Sequence, residues 1–229
     1  RMSDRSISDV EALIRWQDPE RGLILPMRFI PVLEETGLIG AVGRWALQQA
    51  LVDAKAWRAA GAAPIRVAVN VSPLQLNQPD FVEQVARLVA EGGSDALELE
   101  ITETVIMDDV DRKITLLEDI RRLGVRIAID DFGTGYSSLA YISRLPLTSL
   151  KIDRAFVTGM TEGPQGYILV SSIIALAHAL KLKVIAEGVE TEEQAQLLTL
   201  LDCDEAQGYL FSKPIPAAQL LALLLAAGP

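Results

Sequence analysis

Two periodicities alternate along this chain. Short β-rich apolar runs at residues 10–16, 65–71, 97–102, 125–131, 150–153, 183–188 and 204–211 are separated by longer stretches whose apolar side chains recur at helical spacing. The helical stretches fall at 27–36, 42–60, 81–91, 110–123, 138–144, 165–180 and 191–201, and 217–227 closes the chain. Such a succession predicts parallel strands joined by crossover helices. The punctuation agrees. Thr191, followed by Glu192 and Glu193, reads as an N-cap with acidic first-turn residues, and Gly124 ends the helix before the strand at 125. No low-complexity linker or shift of composition divides the chain, so residues 1–229 read as one domain.

The placement of polar residues separates a closed barrel from an open sheet. Glu11 and Arg15, Asn70, Glu100, Asp130 and Asp131, Lys151 and Asp153, Glu187 and Gln207 lie inside nearly every run or at its C-terminal end. A closed βα barrel assembles its chemistry from the ends of several strands at one face, whereas an open doubly wound sheet gathers its ligand at a switch point. The dispersal favours a TIM-like (β/α)8 barrel. Gly133 and Gly135 form only a short Gly-Thr-Gly, without the glycine triplet and following acid of a dinucleotide site. Eight strands usually take about 250 residues. Seven runs in 229 residues put the shortfall at the N-terminus. The first strand is therefore expected to be missing and Arg1 to be an internal start.

Composition narrows the chemistry. Half of the residues are hydrophobic, enough to bury a core, and 21 Lys and Arg against 31 Asp and Glu leave a formal charge of −10. One cysteine, Cys203, and one histidine, His178, exclude an internal disulfide, a thiolate zinc site and any relay of two imidazoles. Any metal must be held by oxygens. The acidic balance argues against a nonspecific binder of DNA or RNA. The longest apolar stretch, 167–186, is interrupted by His178, Lys181 and Lys183, and the chain opens without an apolar signal core. A cytoplasmic location is expected, either free or as the cytoplasmic part of a larger tethered protein. His178, Cys203, Trp45, Trp57 and the leucine-rich 217–227 segment read as structural.

The acids carry the strongest signal. Alternation along the 10–16 strand puts Glu11, Leu13 and Arg15 on one face, so a carboxylate and a guanidinium share the interior, where a structural ion pair would explain them if this strand stood alone. Glu98 and Glu100 share a face of Leu-Glu-Leu-Glu-Ile-Thr-Glu, and Glu103 lies just beyond. Buried acids are expensive unless paired or bound to a cation. In residues 127–138, Asp130 and Asp131 project to opposite sides of an ideal strand, so both reach one site only where the strand ends and the following glycines turn it. Carboxylates at such an end can bridge two hard cations about 3.5 to 4 Å apart, the arrangement used in phosphodiester hydrolysis. Taken alone, an Asp-rich turn capping a helix would explain the pair. Combined with Glu11, Asn70 and Glu100, oxygen ligation of Mg²⁺ or Mn²⁺ explains more. Lys151 and Asp153 share a strand face, where the lysine could orient a nucleophile or form a salt bridge. Glu187 or Glu190 could ligate a second cation or accept a proton, and Gln207 could hydrogen-bond a ligand or simply close the barrel end.

These residues resemble the EAL-domain phosphodiesterases, which hydrolyse cyclic di-GMP in bacteria. The resemblance runs through Glu11-Ala12-Leu13-Ile14-Arg15-Trp16, Asn70-Val71-Ser72, Glu100-Ile101-Thr102-Glu103, the Asp130 to Ser138 stretch, Lys151-Ile152-Asp153, Glu187-Gly188-Val189-Glu190 and Gln207-Gly208-Tyr209, in order and across the whole chain. It implies a barrel in which Glu11, Asn70, Glu100 and Asp130 hold one Mg²⁺ or Mn²⁺, with Asp130 bridging to a second ion supported by Asp131 and Glu187. It further implies that Lys151 positions the attacking water, that Glu187 serves as a general base, and that Arg15 contacts a phosphate of the substrate. Asp153, Glu190 and Gln207 would line the site, and Glu103 would anchor the 131–138 loop. Cyclic di-GMP would open to linear pGpG, Ca²⁺ would inhibit, and the protein would form a homodimer with sensory or diguanylate cyclase domains outside this chain. The family also carries a Tyr-Gln-Pro strand before its first motif, where this chain has only residues 1–10. Two other readings compete: a noncatalytic cyclic di-GMP receptor, and a barrel hydrolase for another phosphate ester.

Overall fold

The computed structural model describes residues 1–106, 109–133 and 139–226. In chain order the strands are β1 (Asp9–Ala12), β2 (Trp16–Asp18), β3 (Gly22–Ile24), β4 (Arg66–Asn70), β5 (Leu97–Thr102), β6 (Arg126–Phe132), β7 (Ser149–Ile152), β8 (Lys183–Ala186) and β9 (Glu205–Ala206). Among the described residues, seven of them form one all-parallel sheet in the order β1-β4-β5-β6-β7-β8-β9, while β2 and β3 form a separate antiparallel hairpin. The sheet curls until its edges meet: Gln207, just past β9, donates through Nε2 to Glu11 Oε2 on β1 at 2.8 Å. Helices such as Ile39–Ala59, Phe81–Gly92, Val110–Arg122 and Pro164–Ala179 fill the crossovers.

Strand alternation sorts the chain into two surfaces. Val67, Val69, Leu97, Leu99, Ile101, Ile127, Ile129 and Ile152 pack in the buried core with Leu47, Phe81, Val85, Leu117, Ile120 and Val170 of the helices. The opposite strand positions hold Ala68 and Ala128 at mid-height, with acids, amides and lysine above them. Apolar burial against the helices thus drives the fold, at about 25 cal/mol per Å², and leaves the inner wall free for polar groups.

Register lifts those polar groups to one height. Glu11 lies beside Ala68 and Glu100 beside Ala128, while Asn70 and Asp130 sit two residues farther along β4 and β6. Likewise Lys151 is level with Ile185, and Glu187 follows two residues later. A tilted barrel wall has this stagger, so alternate strands reach the same layer two residues apart.

Local chemistry sets where elements stop. Thr191 caps Glu192–Leu200 in a full capping box, its side chain accepting from the Gln194 backbone N–H. Replacing Thr191 with alanine should lower stability by about 1 kcal/mol, read as a lower urea midpoint with an unchanged slope. Gly124, at φ +88, takes the left-handed turn after Val110–Arg122. The expected single strand over 10–16 is cut short at Ala12. Asp18 accepts from the Glu20 and Arg21 backbone N–H groups and Gly22 adopts φ +74, a turn that folds this segment into the β2–β3 hairpin. The 204–211 run shortens to β9 because the chain then wraps Val189, which donates to Gln207 O and accepts from Leu210 N. A Cβ on Gly208 would lie 2.1 Å from Val189 O. Trp57 packs as expected, its indole N–H bonded to Ala217 O, but Trp45 faces solvent on the outer side of its helix.

Candidate active site

The C-terminal ends of the strands converge on one ammonium group. Lys151 Nζ lies 2.6 Å from Glu187 Oε1, 2.7 Å from Glu100 Oε1, 3.3 Å from Asp130 Oδ1 and 3.7 Å from Glu11 Oε2. The lysine is only 1% exposed, and its ammonium sits at hydrogen-bond distance from both Glu187 and Glu100. Charge and directed bonding together hold it. Asn70 Nδ2 donates to Glu11 Oε1 at 2.7 Å, and Gln207 Nε2 bridges Glu11 Oε2 and Glu187 Oε1 at 2.8 and 2.7 Å. The amides thereby fix the two carboxylates at the seam of the barrel.

Proton affinities diverge across this cluster. Burial opposes the charge of Lys151, but Glu100, Glu11, Glu187 and Asp130 outweigh it and raise its pKa well above the usual value. Glu100 is pushed well above the carboxylate range by burial, against the pull of Lys151 and with added repulsion from Glu11 and Asp130. Glu187 rises to about 7, chiefly through burial, again against Lys151 and with Asp130 adding to it. Burial alone would raise Glu11 too, yet Lys151 and the Gln207 and Asn70 amides bring it below its usual value.

Asp130 and Asp131 do reach one place. Asp131 adopts φ +54, Gly133 follows at φ +95, and the β6–β7 register shifts between Ile129 and Phe132. One carboxylate oxygen each from Asp130, Asp131 and Glu187 then lies within 4.8 Å of the others. Asp131 also shares a hydrogen bond with Asp153, and burial followed by the Asp130 and Asp153 charges raises its pKa. Asp153 caps the helix Arg154–Gly159, accepting from Ala155 N at 2.8 Å.

The donor set fits hard divalent cations. Glu100 Oε2 is buried and finds no hydrogen-bond donor, although acids crowd around it. A cation satisfies such an atom as no neighbouring side chain does, and carboxylate with amide oxygens suits Mg²⁺ or Mn²⁺.

Other expected residues stand outside the cluster. With β1 ending at Ala12, Arg15 does not share an interior face with Glu11; its guanidinium donates to Ile14 O at 2.9 Å. Glu190 pairs with Arg154 at 2.7 Å near the surface. Glu103 is buried, accepts from Gly133 N at 3.0 Å, and leaves Oε1 without a partner. The loop it was expected to anchor continues through residues 134–138, which lie outside the described residues. His178 pairs with Asp204 at the edge of the fold, and burial pushes the Cys203 thiol up to about 12, which leaves it inert.

Residues 1–214 match the EAL domain family. The chain belongs to that family. It is 45% identical over 215 residues to the bifunctional diguanylate cyclase/cyclic di-GMP phosphodiesterase MucR of Pseudomonas aeruginosa, covering 93% of this chain and 31% of that protein. It is 44% identical over 227 residues to the cyclic di-GMP phosphodiesterase NbdA of the same organism, covering 98% of this chain and 29% of NbdA. The chain thus spans less than a third of these curated relatives. A solved structure of the PaMucR phosphodiesterase in complex with c-di-GMP superposes with a TM-score of 0.88 at 44% identity, covering 92% of this chain and 86% of that one. The curled parallel sheet is accordingly that of an EAL domain, a TIM-like barrel. Among the described residues, no helix is long and apolar enough to cross a membrane.

Proposed function

We propose that residues 1–229 form a single phosphodiesterase domain that hydrolyses cyclic di-GMP to linear pGpG with divalent cations. The observation that carries this reading is the convergence of Glu11, Glu100, Asp130 and Glu187 on Lys151, with Glu100 Oε2 buried and lacking a donor. The activities for which MucR and NbdA are named support cyclic di-GMP as the substrate.

Glu11, Asn70, Glu100 and Asp130 would hold one Mg²⁺ or Mn²⁺, and Asp130, Asp131 and Glu187 the second. When bound, the cations supply Lewis-acid activation of water and neutralise phosphate charge. Lys151 holds the attacking water by donating to it, a role favoured by an ammonium already fixed by acids on several sides. Glu187, 2.6 Å from Lys151, would take up the water's proton as the new P–O bond forms and the P–O3′ bond breaks, the 3′ oxygen leaving with a proton from solvent. Gln207 keeps Glu187 and Glu11 in position from the opposite seam, and Asn70 orients Glu11 from β4. Arg15 lies beyond β1 at the mouth and would reach a substrate phosphate, with Asp153, Glu190 and Gln207 lining the site.

The partners follow from the same reading: cyclic di-GMP as substrate, a second copy of the chain as a homodimer, and sensory or diguanylate cyclase domains elsewhere in the protein. MucR, of which this chain matches 31%, carries both activities in its name. No DNA or RNA polymer is a partner, and the domain works in the cytoplasm.

Purified chain incubated with cyclic di-GMP, other cyclic dinucleotides and simple phosphodiesters tests the substrate. Only cyclic di-GMP should be consumed rapidly; equal consumption of simple diesters would favour a different hydrolase. Replacing Mg²⁺ by Ca²⁺ should preserve binding but lower turnover by about a hundredfold or more, because the larger ion takes a looser coordination and misplaces the water. Equal rates with the two ions would contradict this mechanism.

A further inference from the structure

The inner wall carries a second charged layer at the opposite end of the barrel. Arg66 and Arg126 stand four residues before Asn70 and Asp130 on their strands, and Asp9 and Glu98 stand two before Glu11 and Glu100. The same stagger that levels the active site therefore levels these residues at the floor. A cavity of about 220 Å³ opens there, lined by Arg58, Arg66, Arg126 and Lys183 against the carboxylates of Asp9 and Asp95, with Arg1 adding a fifth cation. In a chain of net charge −10, this is a local excess of positive charge.

The ion pairs at the floor leave donors over. Arg66 Nη1 contacts Asp9 Oδ1 at 2.6 Å, Arg58 contacts Asp95 at 3.0 Å, and Lys183 contacts Glu205 at 2.8 Å. Each guanidinium has five N–H donors, so one carboxylate contact does not exhaust it. Arg66 Nε is buried with no acceptor. The Arg126 side chain makes no salt bridge or hydrogen bond among the described residues, although its charge acts on Glu98. Glu98 itself, bonded to Ser149 at 3.2 Å, has its pKa raised by burial and by Asp9, against the pull of Arg66 and Arg126.

We propose that this floor cavity binds a phosphate group through Arg126, Arg66 and Lys183. Acceptor-rich tetrahedral oxyanions match several guanidinium donors at once. The volume lies below the roughly 300 Å³ at which pockets for drug-sized ligands begin, so the ligand is inorganic phosphate or the phosphate end of a small monoester, not a nucleotide. The site is separate from the carboxylate cluster and does not depend on the proposed hydrolysis.

The test is calorimetric titration of the whole chain at constant ionic strength, with EDTA present so that cations at the acidic end play no part. Inorganic phosphate and glycerol 3-phosphate are the two probes. One saturable site per chain is expected, weakened by Arg126→Gln at least about tenfold, weakened severalfold by Arg58→Gln at the mouth, and unchanged by Arg122→Gln on the outer helix surface. Binding of both probes identifies a monoester site, and binding of phosphate alone identifies a free-ion site. If Arg126→Gln loses its fold by circular dichroism, Arg58→Gln decides. Absence of saturable binding below about 10 mM, or equal weakening by Arg122→Gln, would overturn the proposal.

Discussion

Glu11→Ala will abolish hydrolysis of cyclic di-GMP while the chain remains folded. The side chain accepts from both Asn70 and Gln207 and lies 3.7 Å from Lys151, so its loss removes a cation ligand and releases two orienting amides together. A fall in kcat/KM of at least about a thousandfold, on the order of 4 kcal/mol in barrier height, is expected. Stability should change little. Glu11 is not part of the apolar core, and removing it relieves the repulsion that raises the pKa of Glu100. Circular dichroism and urea unfolding should therefore agree with the parent to within about 1 kcal/mol. Global unfolding of the variant would assign Glu11 to the architecture instead.

Lys151→Met should behave in the opposite way, with a large loss of stability as well as activity. Removing the ammonium leaves Glu11, Glu100, Asp130 and Glu187 facing one another without a cation. Deleting one partner of a buried ion pair typically costs about 3–5 kcal/mol, and the metal-free variant should lose about that much. Added Mn²⁺ should recover part of it, about 2.7 kcal/mol at a hundredfold excess over Kd, while turnover stays about 10² to 10³ below the parent because the water has lost its donor. The deficit has a predictable pH dependence. Carboxylates with folded pKa values above their unfolded value near 4.5 bind protons on folding, as Glu100 and Glu187 already do. Their contribution to stability therefore falls as pH rises from the unfolded pKa through the folded one. Losing Lys151 raises those folded values further, so the gap between variant and parent should widen from about pH 5 to pH 8. A gap that narrows over that range would contradict the charge arrangement.

The barrel was legible because its strands read in two channels. Leu97–Thr102 shows Leu99 and Ile101 for the helices alternating with Glu98 and Glu100 for the interior, and the observed strand has those bounds. A turn gathering Asp130 and Asp131 was expected from the glycines after the strand, but the left-handed residue is Asp131 itself, inside β6 at the register shift, with Gly133 following. Arg15 was misplaced because alternation gives the face of a residue only while the strand lasts. The signal for its end lay in Asp18 and Gly22, whose turn forms the β2–β3 hairpin. Gln207 as a bridge between Glu11 and Glu187 was beyond the sequence, since it depends on closing a wall whose edge strands are 196 residues apart at the contact. The exposure of Trp45 was equally hidden, because helical spacing alone does not say how wide the buried stripe is. The floor cations Arg66, Arg126 and Lys183 open their strands, but their alignment depends on the stagger between strands, which no single run of sequence carries.

The most direct test of the central claim follows one sample in time. The purified chain, with Mg²⁺ or Mn²⁺ and cyclic di-GMP, is sampled chromatographically while bound ligand is measured in parallel. Loss of cyclic di-GMP matched mole for mole by pGpG, and stopped by EDTA, is the result predicted here. A folded chain that binds cyclic di-GMP in the presence of either ion yet forms no pGpG would make the domain a receptor and contradict the assignment of hydrolysis.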